Sequence, residues 1–311
     1  MPRLPILAGA AVLVLSTAML GGPASARTPD AGPALVINQD FPDPDVSQFG
    51  NTYFAYATNN GVNLPVATAP AAGGPWTVQS GDALPQLGAW ASAGRTWAPD
   101  VSRRADGKYL LYYAAHSTSA NTQCLGAALA DDPAGPFTPI GDQPLVCDAS
   151  EGGEIDPSSF VDSDGSRYLV YKNDGNSIGQ APSIWLQPVA ADGITFTGPR
   201  VKLLQNDRPD ENSVIEAPVV VKRPSQYVLF YSASGYSDDS YRTGFATSPT
   251  LAAAFTKSDT PLMTTESTGV HGPGGADPVG GQIFFHGWIN DHTARGMYVA
   301  DLTWNGDTPV V

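Results

Sequence analysis

The sequence predicts an all-β fold made of five repeats, because two markers recur at one period. A short aromatic run typical of a β-strand starts five times, at intervals of 56, 59, 59 and 56 residues; the runs cover residues 53–56, 109–112, 168–171, 227–230 and 283–286. An aromatic residue followed by Thr recurs at intervals of 61, 59 and 59 residues, as Trp76-Thr77, Phe137-Thr138, Phe196-Thr197 and Phe255-Thr256. The 33 glycines and 28 prolines among 311 residues favour many turns over long helices.

A third marker completes each repeat. An Xaa-Pro dipeptide opens an apolar strand before each aromatic run, at Asp43-Pro44, Ala98-Pro99, Asp156-Pro157, Ala217-Pro218 and Asp277-Pro278. Each repeat then contains four short strands with no helical periodicity between them, as in the blade of a propeller. A β-sandwich is the competing architecture, but it has no reason to repeat five times at this spacing. We therefore predict a five-bladed β-propeller that forms a single domain over residues 27–311.

The first 26 residues are predicted to be a secretory signal peptide. Arg3 precedes an apolar run over residues 6–20, and Ala24-Ser25-Ala26 matches a small-residue cleavage site. A membrane anchor is the alternative, but the run is short and ends in Gly21-Gly22-Pro23. We expect a secreted, extracellular protein with no membrane partner.

Export would place the two cysteines in an oxidising compartment. Cys124 and Cys147 can form only one bridge, which would close a 24-residue loop and stabilise the fold by about 3 kcal/mol. Two buried free thiols are the alternative. Two cysteines without a histidine nearby in the sequence do not favour a structural zinc site.

The charge balance limits the partners. The chain has 16 basic and 30 acidic residues, a net charge of −14. Nucleic-acid binding needs a basic surface, so we expect no nucleic-acid partner. A neutral ligand such as a sugar is compatible with this charge.

The predicted propeller brings separate acids to one place. The first strand of each blade lines the central channel, and these strands run parallel, so their starts lie on one face. Asp43, Trp97, Asp156 and Glu216 lie at or just before the Xaa-Pro markers. An Asp before Pro is often only part of a turn, and Trp97 could be a core residue. Glu216 lies in an apolar run, where an ionised carboxylate is costly without a partner or a task.

Blade order suggests roles for the three acids. Asp156 and Glu216 belong to neighbouring blades, so the charge of Asp156 should raise the pKa of Glu216 and keep it protonated as a general acid. Asp43 would face Glu216 across the pocket as general base. Carboxyl groups about 6.5–9.5 Å apart are typical of inverting glycoside hydrolysis. Trp97 offers a flat face for a sugar ring.

The chain resembles glycoside hydrolase family 43 from about Phe41 to its C-terminus. The segments that carry the resemblance are Phe41-Pro42-Asp43-Pro44-Asp45-Val46, Trp97-Ala98-Pro99-Asp100-Val101, Ile155-Asp156-Pro157-Ser158, Asp162-Ser163-Asp164-Gly165, Glu216-Ala217-Pro218 and Gly272-Pro273-Gly274. The resemblance implies Asp43 as base, Asp156 as the residue that tunes and orients the acid, and Glu216 as acid. It also implies that Arg295 binds sugar hydroxyls.

The resemblance leaves a metal site open. Many relatives have His after Gly-Pro-Gly, where it helps to hold an ion in the axial channel, but this chain has Gly275 there. A structural calcium ion in the axial channel therefore stays an open alternative. His271, before the turn, is a candidate to bind substrate or an ion, and a plain loop histidine is the alternative. Phe41 is a further candidate for substrate contact.

The resemblance implies a secreted, inverting exo-α-L-arabinofuranosidase that acts on plant cell-wall arabinan or arabinoxylan and needs no cofactor for its chemistry. The Gly-Pro-Gly-Gly turn, followed by His286-Gly287-Trp288, resembles this exo-acting branch. A β-xylosidase, an endo-arabinanase and a sugar-binding propeller without catalysis are the alternatives. We expect a monomer.

Overall fold

Five four-stranded antiparallel sheets form the part of the chain that the computed structural model describes, residues 1–2 and 32–311. Each sheet is one blade, so the predicted five-bladed β-propeller is confirmed. The predicted signal peptide lies outside the described residues, except for its first two. No helix in the described ranges has the length and apolar character needed to cross a bilayer.

The strands follow one another in chain order around the ring. The first is β1 (Ala34–Ile37). Blade one contains β2 (Asp45–Phe49), β3 (Thr52–Tyr56), β4 (Val66–Ala69) and β5 (Thr77–Val78). Blade two contains β6 (Ala91–Arg103), β7 (Tyr109–Ser117), β8 (Thr122–Ala130) and β9 (Thr138–Pro139). Blade three contains β10 (Glu154–Val161), β11 (Arg167–Asn173), β12 (Ser183–Val189) and β13 (Val201–Gln205).

The second half continues the pattern and adds short helical turns. Blade four contains β14 (Ile215–Lys222), β15 (Tyr227–Ala233), β16 (Arg242–Ser248) and β17 (Thr256–Lys257). Blade five contains β18 (His271–Val279), β19 (Gln282–Ile289) and β20 (Ala294–Asp301), and a hairpin of β21 (Thr303–Asn305) and β22 (Thr308–Val310) follows. The helical segments are α1 (Thr265–Thr268) and the 3₁₀ turns Ala149–Glu151, Gly175–Ile178 and Pro209–Glu211.

The ring is closed by the N-terminal strand. Strand β1 pairs antiparallel with β20, with Ala34 opposite Val299 and Leu35 opposite Tyr298. Blade five therefore combines three strands from the C-terminal end of the chain with one strand that precedes blade one. The sequence repeats did not identify this strand.

A residue in the left-handed backbone region lies within the innermost strand of blades two to five and just before β2 in blade one. These residues are Asp43 (φ 51°), Ala98 (41°), Asp156 (53°), Ala217 (50°) and Gly275 (61°). In blades two to five the pairing register shifts at the same place, as expected of a β-bulge that redirects side chains. The equivalent of Asp43 in blade five is therefore Gly275. The fifth Xaa-Pro marker, Asp277-Pro278, lies two residues beyond this position.

Three half-buried aspartates link the innermost strands across blade boundaries. In each case a carboxylate oxygen accepts a backbone N–H from the next blade: Val101 to Asp45 (2.8 Å), Ser159 to Asp100 (2.9 Å) and Val46 to Asp277 (2.6 Å). Burial raises the pKa of all three carboxyls, that of Asp277 to about 7. These bonds hold the strand starts at fixed positions around the axis.

The hydrophobic core consists of five clusters, one between each pair of neighbouring blades. Tyr56 and Tyr113 lie in the cluster between blades one and two. Phe230 and Phe285 lie in the cluster between blades four and five. The other three clusters fill the remaining boundaries in the same way. This packing makes the ring a rigid support for the residues at its centre.

A disulfide ties blade two to the segment that leads into blade three. Cys124 in β8 is bonded to Cys147, with the sulfur atoms 1.97 Å apart. The neighbouring residues Leu125 and Val146 form an isolated antiparallel bridge. The bond therefore fastens a long connection to the outer half of blade two.

Candidate active site

A pocket at the end of the axial channel gathers five of the seven predicted site residues. Its wall contains Asp43, Trp97, Asp156, Glu216 and Arg295. Two of them, Asp43 and Asp156, also line the axial channel, so the pocket and the channel are continuous. The cavity measures about 470 Å³. That volume is within the range of about 300–1,000 Å³ that is usual for small-ligand sites.

Asp43 is held as a carboxylate by three neighbours. Its Oδ2 accepts a hydrogen bond from Thr58 Oγ1 at 2.6 Å, and its Oδ1 lies 3.0 Å from Arg295 Nη1. Its backbone N–H donates to Nδ1 of the buried His286 at 3.1 Å. Burial alone would raise the pKa of Asp43, but Arg295, His286 and Thr58 outweigh it and hold the pKa well below the usual range. Asp43 therefore stays ionised at any physiological pH.

Asp156 prefers the neutral form. Its Oδ2 accepts the backbone N–H of Ala217 at 2.9 Å, which fixes the carboxyl against the start of blade four. Burial and the negative charge of Glu216 raise the pKa of Asp156 to about 8, although Lys172 opposes this shift. At neutral pH this side of the pocket therefore carries a proton.

Glu216 is bound by two donors that the sequence analysis missed. Its Oε1 accepts from the Tyr241 hydroxyl at 2.8 Å, and its Oε2 accepts from Lys172 Nζ at 2.9 Å. The fully buried Lys172 also lies 3.0 Å from Asp174. Burial would lower the pKa of Lys172, but the charges of Glu216, Asp174 and Asp156 raise it. Lys172 therefore remains an ammonium inside the protein.

The structure alters the predicted division of charge between the two neighbouring acids. Sequence reasoning placed a raised pKa on Glu216; in the structure, burial and the charge of Glu216 raise the pKa of Asp156. Lys172, which follows the aromatic run of blade three, contacts Glu216 directly. A lysine directly after the aromatic run of residues 168–171 was the signal that could have revealed it, because buried lysines are rare unless paired.

Trp97 and Arg295 both reach the pocket, with different surroundings. Trp97 packs partly on the core between blades two and three and also lines the cavity. It is therefore both a core residue and a side chain that faces the pocket. Arg295 uses Nη1 (3.0 Å) and Nη2 (3.4 Å) to bind Asp43, and its guanidinium lies 5.0 Å from the Tyr236 ring centre. Arg295 therefore positions the carboxylate of Asp43 and keeps it ionised. Contact between Arg295 and sugar hydroxyls stays a prediction.

Two predicted substrate contacts do not lie in the pocket. Phe41 has no exposed surface and packs in the core between blades five and one, so the prediction that it touches sugar is wrong. His271 is exposed at the start of β18 and does not line the cavity. Its Nδ1 lies 2.9 Å from Asp239 Oδ2 instead. The sequence alone does not show whether an aromatic or polar side chain beside an acid motif faces the pocket or points away from it.

The axial channel does not offer the side-chain donors that a calcium ion needs. Calcium takes six to eight oxygen ligands. Asp45, Asp100 and Asp277 each use one oxygen to bind a backbone N–H. At Gly275 a Cβ would lie 2.9 Å from Nδ1 of His286, so a histidine does not fit where relatives of the predicted family carry one. These three aspartates leave at most one carboxylate oxygen each, among them the unpartnered Asp100 Oδ1, so the described side chains supply only part of the oxygen set that the suggested axial calcium would need.

Comparison with known proteins agrees with this architecture. The family model "Glycosyl hydrolases family 43" matches residues 34–308. The extracellular endo-alpha-(1->5)-L-arabinanase 1 of Bacillus subtilis is 25% identical over 296 residues, 88% of each chain. The extracellular endo-alpha-(1->5)-L-arabinanase 2 of the same organism is 30% identical over 162 residues, 48% of this chain and 33% of the relative. The alignment therefore spans only about a third of that second relative.

A solved structure shows the same fold. The crystal structure of a thermostable family-43 glycoside hydrolase superposes with a TM-score of 0.78 at 23% identity, over 88% of this chain and 93% of that chain. The match to the family model extends from the ring-closing strand β1 to the last hairpin and includes all five blades. The chain therefore belongs to glycosyl hydrolases family 43.

Proposed function

We propose that this glycoside hydrolase is a secreted, inverting exo-α-L-arabinofuranosidase that releases arabinose from arabinan or arabinoxylan. The observation that supports the mechanism is the opposite protonation of the two sides of the pocket. Asp43 is held ionised, whereas the Asp156–Glu216 pair retains a proton up to about pH 8. A general base and a general acid need these two states at the same pH.

The proposed reaction is a single displacement. Asp43 takes a proton from a water molecule, and the water oxygen forms a bond to the anomeric carbon. The bond from that carbon to the glycosidic oxygen breaks, and Glu216 gives its proton to the departing oxygen. Attack and departure take place on opposite faces of the ring, so the product has inverted configuration.

Neighbouring groups support each acid in this scheme. We propose that the two acids share one proton, which Asp156 holds before the reaction and which Glu216 passes to the departing oxygen. Once it has donated, Glu216 is a carboxylate, and Lys172 and Tyr241 stabilise that charge through their hydrogen bonds to its two oxygens. Asp156 also fixes the backbone next to Glu216 through the N–H of Ala217. Its role is to position the acid and supply its proton.

The shape of the pocket favours release of a terminal sugar. Gly235, Tyr236 and Ser237 form one side of the cavity, and Trp97 offers an apolar face from blade two. A cavity of about 470 Å³ has room for one sugar unit with its leaving group. The second candidate is an endo-arabinanase, which is favoured by the Bacillus subtilis relative that aligns over 88% of both chains.

The test compares three substrates. Wild type, Glu216→Gln and the exposed-site control Glu266→Gln are assayed on aryl α-L-arabinofuranoside, aryl β-D-xyloside and linear arabinan. We expect arabinofuranoside hydrolysis that is lost only in Glu216→Gln. Preference for the xyloside would overturn the substrate assignment. Release of oligosaccharides from arabinan without aryl hydrolysis would favour the endo enzyme, and no turnover at all would favour a sugar-binding propeller.

We also propose that the protein acts outside the cell as a monomer on plant polysaccharide. Two Bacillus subtilis relatives are named as extracellular arabinanases, and the disulfide suits an oxidising compartment. Mass spectrometry of protein from the culture medium should find a mature N-terminus at Arg27. Retention of the whole chain inside cells would contradict export.

A further inference from the structure

We propose that Asp239, His271 and His292 form a binding site for a divalent transition-metal ion such as Zn²⁺ at the rim of the pocket. Nδ1 of His271 lies 2.9 Å from Asp239 Oδ2, and Nε2 of His292 lies 2.8 Å from Asp239 Oδ1. The three candidate ligand atoms all lie within 4.8 Å of one another. The proposal does not depend on the proposed hydrolase activity.

The three residues come from separate parts of the fold. Asp239 lies in the loop between β15 and β16, His271 is the first residue of β18, and His292 lies in the turn between β19 and β20. Their side chains are 41–54% exposed, so an ion can reach them from solvent. Two imidazoles and a carboxylate from three segments of the chain thus converge on one place, as the ligands of a metal site must.

The donor set selects the kind of ion. Two histidine nitrogens and one carboxylate oxygen are ligands that Zn²⁺ binds at about 2.0–2.2 Å, usually with tetrahedral geometry. Calcium and magnesium prefer sets made entirely of oxygen. Ligand atoms around a tetrahedral zinc lie about 3.4 Å apart, as follows from those bond lengths. The distances from the two histidine nitrogens to the Asp239 oxygens would thus lengthen by about half an ångström. The exposed ends of these side chains can move by that amount.

The turn that carries His292 holds its side chain in place. Asn290, Asp291 and His292 have φ values of 52°, 53° and 60°, a left-handed run that non-glycine residues disfavour. The imidazole of His292 stacks on the Trp288 ring with centroids 5.7 Å apart. Gly272 lets β18 pass close to the loop, since a Cβ there would lie 3.0 Å from the Asp238 carbonyl oxygen. The ligands are therefore brought together by the backbone before any ion binds.

Metal binding would fasten one wall of the pocket. Asp239 is three residues from Tyr236, which lines the cavity. The Tyr236 carbonyl already accepts a hydrogen bond from Trp288 Nε1 at 2.9 Å. An ion on Asp239 would join this loop to β18 and to the β19–β20 turn, so occupancy would stabilise the wall that Tyr236 forms.

The experiment uses the full chain stripped of metal with a chelator. Zn²⁺ is titrated by calorimetry at about pH 7.5, and Co²⁺ absorption reports the coordination. We expect one ion per chain and a rise in Tm with Zn²⁺. His271→Gln, His292→Gln and Asp239→Asn should each weaken Zn²⁺ binding by more than the roughly 10–100-fold that follows loss of a ligand's supporting partner. His116→Gln, in blade two, is the matched control and should bind as wild type does.

Several results would overturn the proposal. They are no Zn²⁺ binding by the wild type, unchanged affinity in the three ligand variants, or an equal loss in His116→Gln. The thermal transition of each variant in chelator shows whether it has folded. A Zn²⁺-induced rise in Tm that persists in His292→Gln would also assign the ion to another place.

Discussion

Lys172→Met removes the one positive charge in contact with Glu216 and keeps the apolar stem of the side chain. Lys172 is fully buried and bridges Glu216 at 2.9 Å and Asp174 at 3.0 Å, and these two side chains are only 12% and 14% exposed. The substitution therefore leaves two largely buried carboxylates without their partner. We expect both the stability and the pH dependence of activity to change.

The magnitude follows from the geometry. At 2.9 Å and an effective dielectric constant of 20, the gross attraction in one such pair is about 6 kcal/mol. Desolvation of the charges offsets part of it, and removing one partner of a buried pair typically costs about 3–5 kcal/mol. We expect the free energy of unfolding to fall by that amount in Lys172→Met.

The same change should move the basic limb of the activity profile. The proton shared by Asp156 and Glu216 is present below about pH 8 and lost above it, so wild-type kcat/KM should fall as pH rises through 8. Lys172 lowers the pKa of Asp156, and without it that pKa rises further. The basic limb of Lys172→Met should therefore lie at higher pH than that of the wild type.

Two assays check this prediction. Urea unfolding followed by tryptophan fluorescence gives the free energy, and kcat/KM on an aryl α-L-arabinofuranoside from about pH 5 to 10 gives the limb. Lys108→Met is the control, because Lys108 and its partner Asp131 are 45% and 86% exposed. Such a surface pair contributes about 0.2–1 kcal/mol. Equal losses of stability in the two variants, or an unmoved basic limb in Lys172→Met, would refute the reasoning.

Two further predictions concern the support of the pocket and of the fold. Gly275→Ala and Gly50→Ala both place a Cβ at a left-handed φ (61° and 63°), which costs roughly 1–2 kcal/mol. Only at Gly275 would the new Cβ meet His286, 2.9 Å away, and disturb the neighbouring Asp43. We therefore expect kcat/KM to fall in Gly275→Ala alone. Equal kcat/KM in the two variants would contradict this. Cys147→Ser opens a 24-residue loop and should lower the free energy of unfolding by about 3 kcal/mol, and reduction of the wild type should have the same effect. Urea midpoints equal to that of the oxidised wild type would contradict this prediction.

The repeats made the fold predictable, because each blade uses the same buried strand. The aromatic runs at 53–56 and 109–112 lie in β3 and β7, the second strands of their blades. Ring closure could not be predicted in this way. Strand β1 pairs with β20 across nearly the whole chain, and such a pairing leaves no local pattern. In blade five the left-handed residue, Gly275, has no proline after it, and the Xaa-Pro marker follows two residues later.

The acids of the site were predictable because they occupy equivalent positions in different blades. Their partners were not, since Thr58, Lys172 and His286 follow or lie in second strands. Thr58 meets Asp43 within blade one, whereas Lys172 and His286 reach Glu216 and Asp43 from a neighbouring blade. These partners decide which carboxyl carries the proton. Charge placement in the pocket thus depends on contacts between strands that the sequence alone does not align.

The most direct test of the mechanism compares leaving groups. Wild type, Asp43→Asn and Glu216→Gln are assayed on α-L-arabinofuranosides with a 2,4-dinitrophenyl group and with an alkyl group. Dinitrophenolate departs without a proton, so Glu216→Gln should lose about 10²–10⁴-fold on the alkyl glycoside and far less on the other, whereas Asp43→Asn should lose activity on both. Equal losses of Glu216→Gln on the two substrates, or an active Asp43→Asn, would contradict the assignment of acid and base.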